Sequence, residues 1–138
     1  MTRIGFITPT AAVAMLVASC ATQPDSHACR ADEQSAIVDS LYFGTAMPSG
    51  QVTAAAWQKF LAEVITPRFP AGLTAWSAAG QWQSPSGVLT KEESYVLNVV
   101  HPDEPKHDRA VREIIDIYKS QFQQEAVLRV RTSACISL

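Results

Sequence analysis

The chain has 138 residues, 11 basic and 13 acidic, for a formal net charge of −2 at neutral pH. That length holds one domain more comfortably than two. A mildly acidic balance is a poor match for nucleic acid, whose binding rests on neutralising phosphates with Lys and Arg. Neither a repeat nor a low-complexity tract is present.

Arg3 supplies a short positive region, and Ile4 to Val17 form a mostly apolar run, broken by Pro9, ahead of Val17-Ala18-Ser19-Cys20. The run is shorter than the roughly 20 apolar residues that a permanent bilayer-spanning helix needs. Charge, apolar run and small residues before a cysteine predict a lipoprotein signal peptide over residues 1–19 and an acylated Cys20. An ordinary secretory signal cleaved near the same place is the alternative. Each buried methylene adds about 0.8 kcal/mol, so two or more acyl chains anchor stably where one is marginal. In its resemblance to bacterial lipoproteins, the chain has Ala21 rather than Asp after Cys20, which implies an outer-membrane location facing the periplasm.

With Cys20 given to lipid, Cys29 and Cys135 remain as an even pair in an oxidising compartment, where disulfides persist. Pairing them would close a loop of on the order of 100 residues. Two separately buried thiols are the other reading. Residues 20–36 carry little apolar periodicity and are expected to be a lipidated tether, with a single α+β domain over residues 37–138.

Leu41-Tyr42-Phe43-Gly44 is the first strand candidate, followed by turn chemistry at Met47-Pro48-Ser49-Gly50. Thr53 is placed to cap a helix whose Trp57, Phe60, Leu61 and Val64 share one face, and Pro67 ends it. Leu73 to Trp82 reads as a second strand, with Gly80 as a bulge candidate, and Tyr95 to Val100 as a third. The two prolines of His101 to Asp108 point to a loop, after which Val111, Ile114, Ile115, Tyr118 and Phe122 trace a helical face over about Arg109 to Gln123. Ala126 to Thr132 alternates, so Leu128 and Val130 are expected to face the core and Arg129 and Arg131 the solvent.

This order predicts an α+β domain of ferredoxin-like βαββαβ type, a four-stranded antiparallel sheet with two helices on one face. The last strand would then lie beside the first, bringing Cys29 near Cys135. The open sheet face remains for binding, and Trp76, Trp82, Arg129 and Arg131 are its candidates, because Arg beside Trp is enriched at binding hot spots. An open, merely solvated face is the plain alternative. His101, Asp103, His107 and Asp108 lack the spacing of a known metal site, so no metal is expected there. Gly-x-Ser-x-Gly, His-Glu-x-x-His and phosphate-loop patterns are missing, and no catalytic residue or cofactor is assigned.

Leu41-Tyr42-Phe43-Gly44, Trp57, Thr66-Pro67-Arg68-Phe69-Pro70, Gly72-Leu73-Thr74, Gly80-Gln81-Trp82, His101-Pro102, Tyr118, Phe122 and Gln124 to Val130, with Cys135, resemble an uncharacterised family of small bacterial exported proteins that carry a domain of unknown function. The resemblance covers the chain from about Ser40 onward and implies no activity. The expected function is therefore a membrane-anchored binding or structural module of the envelope, pairing with itself or an envelope protein and not with nucleic acid. The alternative is a small ferredoxin-like enzyme with a pocket between sheet and helices, for which Arg68, Gln81, Tyr95 and His101 are the residues to test.

Overall fold

A computed structural model describes residues 29–83 and 86–138; the expected signal peptide over residues 1–19 and the expected lipidation site Cys20 lie outside the described residues. Strand β1 spans Gln34–Gly44, β2 Ala46–Met47 and β3 Gly50–Gln51, followed by helix α1 over Ala54–Phe60. Strands β4, Thr74–Gln83, and β5, Leu89–His101, precede helix α2, Pro105–Gln121, and strand β6, Leu128–Ile136, closes the order. The four long strands form one antiparallel sheet in the order β4-β5-β1-β6, and β2 and β3 form a separate small hairpin.

Strand β1 begins at Gln34, well before Leu41, because it pairs on both sides: Ile37 lies opposite His101 on β5 and Ser133 on β6. Polar Ser35, Asp39 and Ser40 weaken its sequence signal, and tertiary pairing overrides that weakness. Thr53 caps α1 by accepting a 3.1 Å hydrogen bond from the Ala56 amide, and the helix runs on into a π-helical turn over Leu61–Ile65. There the Thr66 amide and hydroxyl both donate to Leu61 O at 2.9 Å, and Pro67, without an N–H, follows. Gly80 is no bulge: the β4–β5 ladder is unbroken from Thr74 opposite Asn98 to Gln83 opposite Leu89.

The helix expected from Arg109 starts instead at Pro105. Proline at the first helical position costs nothing, since that N–H has no intrahelical partner, so the 101–108 loop is shorter than its two prolines imply. On α2, Val111, Ile114 and Tyr118 are buried and meet Trp57, Phe60 and Ile65 of the first helix over Leu41, Phe43, Leu97 and Val99 of the sheet. Both helices thus cover one sheet face. Aromatic rings fill the layer, with Phe43 and Tyr118 centroids 4.6 Å apart and Trp57 stacked on Tyr95 at 4.5 Å. Tyr118 satisfies its hydroxyl by donating to Gly44 O at 2.8 Å. Burial, then the neighbouring Tyr95 and Glu92, pushes its phenol above the ordinary tyrosine value.

Cys29 and Cys135 form a disulfide with Cα atoms 5.5 Å apart. Cys135 lies inside β6, opposite Ser35, so the bond ties the entry to β1 against the end of the last strand.

Candidate functional site

Strand register decides which side chains share the uncovered face. Residues directly opposite in an antiparallel ladder point the same way, and Leu41, Phe43, Leu97 and Val99 mark the helix side. Arg129 lies opposite Leu41 and Arg131 opposite Asp39, so both arginines are on the helix side, and Leu128 and Val130 point outward. This reverses the facing expected for β6. The reason is Asp39, fully buried in the central strand with the parity of Leu41, which requires a cationic partner more than an edge strand requires Leu128 inside.

Asp39 takes two hydrogen bonds from Arg129, Nε to Oδ1 at 2.7 Å and Nη2 to Oδ2 at 2.8 Å. His101 Nε2 lies 2.9 Å from Asp39 Oδ2, and its Nδ1 is 2.8 Å from Pro102 O. Arg129 Nη1 also donates to Asp108 Oδ1 at 2.8 Å, and Asp108 is held from α2 itself by Arg112. Arg131 reaches Asp103 and Asp108. Burial alone would raise the Asp39 carboxyl, but the hydrogen bonds of Arg129, then those of His101, hold it below the ordinary carboxylate value. The network clips β1 to β5, β6 and α2. Its carboxylates are matched by guanidinium groups, which is the geometry of structural pairing.

Arg68 binds Glu113 at 3.2 Å and Val64 O at 2.8 Å, joining the end of the first helix to α2. Tyr95 is stacked on Trp57 and Gln81 lies across the sheet on β4. Arg68, Gln81, Tyr95 and His101 therefore do not converge on one pocket, and rings of the core occupy the space between sheet and helices.

The uncovered face is apolar. Trp76, Val96, Tyr42 and Leu128 form a row across all four strands, flanked by the row Thr74, Asn98, Ser40 and Val130. Trp76 is 44%, Trp82 53%, Leu128 56% and Val130 43% exposed. Among the outward-pointing residues of the four strands, Glu92 is the one charged side chain. A groove of about 600 Å³ lies at its end, between the β2–β3 hairpin and the segment 123–126, with Tyr42, Trp82, Val96 and Leu128 among its walls. Glu92 Oε2 accepts the amides of Thr45 at 3.1 Å and Ala46 at 2.8 Å, fixing the hairpin to β5. Trp76 and Trp82 were legible as outward residues from their shared parity. The groove was not, because the hairpin and the segment after α2 that wall it carry no periodic pattern.

These features define an α+β domain with one sheet face covered by helices and the other bare. The chain belongs to the family described as "Protein of unknown function (DUF3574)", which matches residues 38–138. No curated protein matches it. Among solved structures, it is similar to a phage SAM lyase in complex with S-methyl-5'-thioadenosine, with a TM-score of 0.57 and 11% identity over 82% of this chain and 95% of the other. The same enzyme in its apo state gives a TM-score of 0.54 and 11% identity over 75% and 90% of the two chains. At that identity the likeness is one of fold.

Proposed function

We propose that this protein is a lipid-anchored binding module of the bacterial envelope, held at the outer membrane through Cys20 and facing the periplasm. Its working surface is the bare sheet face, and a second copy of the chain is the occupant of that face. The observation that carries the reading is the row Trp76, Val96, Tyr42 and Leu128, with Val130 beside it, on a face whose centre holds no charge. Exposed apolar patches of this kind mark interaction sites. A two-fold contact sets a surface against itself, so a charge near the axis would meet its own like, and a neutral centre removes that penalty. The strand order β4-β5-β1-β6 with both helices on one side supports a ferredoxin-like reading of the fold, to which the β2–β3 hairpin and the π turn are additions. Neither a cofactor nor nucleic acid belongs to this function.

Sedimentation of the full chain in mild detergent tests it. The wild type is expected to run as a dimer and the double variant Trp76→Ser, Val130→Ser as a monomer of unchanged melting temperature. A monomeric wild type, or a variant that sediments as wild type does, rules out pairing through this face.

A small enzyme is the second reading, favoured by the fold likeness to the phage SAM lyase. The groove on the bare face, rather than the ring-filled layer under the helices, would be its active site.

A further inference from the structure

Gly44 ends β1 on the floor of the groove, and its lack of a side chain is explained by what stands above it. A Cβ at Gly44 would lie 2.9 Å from Glu92 Oε1 and 3.1 Å from Gln124 Oε1. Gln124 has its amide orientation fixed, because its Nε2 donates to Ala46 O at 2.6 Å and to Phe122 O at 3.1 Å, which leaves Oε1 as an acceptor. Glu92 spends Oε2 on the amides of Thr45 and Ala46, which leaves Oε1. Two oxygens with acceptor capacity left over therefore stand side by side next to Gly44, both on residues that line the groove. The groove lining includes Glu92 and Glu125 and no Lys, Arg or His. Its other walls are neutral and include Trp82 and Tyr42, aromatic residues of the kind that attract cations.

We infer that this groove binds a small organic cation that carries N–H donors on an apolar body, an amidine or an amine. The donors meet Glu92 Oε1 and Gln124 Oε1, the positive charge is matched by the Glu92 carboxylate, and the body lies against Tyr42, Trp82, Val96 and Leu128. A site of this build combines a mostly apolar concavity with a few convergent polar groups. The inference rests on the bare face being the working surface, but it concerns the groove at the end of that face and does not require a second copy.

The test is calorimetric titration of the full chain in mild detergent with three ligands of nearly one shape: benzamidinium, neutral benzamide and anionic benzoate. Benzamidinium is expected to bind at least about tenfold more tightly than benzamide, since hydrogen bonds with a charged partner are roughly twice as strong as neutral ones. Benzoate should bind most weakly. In Glu92→Gln, whose amide oxygen can still accept from Thr45 and Ala46, the preference for benzamidinium should vanish while the melting temperature holds. Equal binding of the three ligands, or no heat from any of them at millimolar concentration, overturns the inference. Sedimentation of the same samples separates the two proposals. A dimer that shows no amidinium preference overturns the cation site alone, and a monomer that shows the preference supports the site while overturning self-pairing.

Discussion

Asp39 and Arg129, on adjacent strands and 90 residues apart in the chain, meet through two parallel hydrogen bonds of 2.7 and 2.8 Å. The pair makes stability depend on acid. Asp39 is held below its ordinary pKa by Arg129 and His101 despite its burial, and Asp108 is held below by Arg129 and Arg112. A carboxyl depressed in the folded state contributes stability that is complete above its unfolded pKa, near 3.9, and is lost as pH falls through its folded value. Urea midpoints should therefore be level from neutral pH to about pH 5 and drop steeply below pH 4. Asp39→Asn should cost about 3 kcal/mol at neutral pH by stranding Arg129, and should flatten part of the acid limb. A variant with the wild-type acid limb would place the acid sensitivity elsewhere.

The disulfide spans a sequence separation of 106 residues. Closing a loop of that order restricts the unfolded chain, and removing such a bond typically costs about 2–5 kcal/mol. Cys135→Ser should lower the denaturation midpoint accordingly, and reduction of the wild type should reproduce the effect. Equal midpoints before and after reduction would count against a stabilising bond.

Ile114 is fully buried between α2 and the sheet. Ile114→Ala is expected to lose about 2–5 kcal/mol by leaving a cavity. Calorimetric melting measures it, and a near-neutral result would contradict the packing of α2 described here.

On the proposed acylation of Cys20, Cys20→Ser should move the protein from the membrane to the soluble fraction of lysed cells, because acyl chains there would supply the anchoring energy. Retention of the serine variant at the membrane would sink the lipoprotein proposal.

Much of the core was legible because α1 and α2 bury one clear helical stripe each, with Trp57 and Phe60 on the first and Val111, Ile114 and Tyr118 on the second. The pairing of Cys29 with Cys135 followed from parity of cysteines and from strand order together. The facing of β6 was misread because alternation identifies two faces without saying which is inside, and apolar Leu128 and Val130 made the usual choice look natural. The missing signal was Asp39. An acidic residue with the parity of Leu41 and Phe43 must be paired, and Arg129 and Arg131 are the cations that the last strand brings to it. The groove depends on the approach of the β2–β3 hairpin to the segment after α2, a contact between irregular segments that no local pattern announces.

Strand β1 comes before both of its ladder partners in the chain, with the first helix and β4 standing between it and β5, and α2 between β5 and β6. Among the described strands, neither edge of β1 is filled by the element that follows it in sequence. Strand β1 therefore carries apolar Ile37, Leu41 and Phe43 beside two open edges until β5 and β6 arrive, so the helices and the β4–β5 hairpin must assemble around a strand that waits. Folding is thereby tied to long-range pairing, and a truncation that removes β6 leaves the centre of the sheet with an unsatisfied edge.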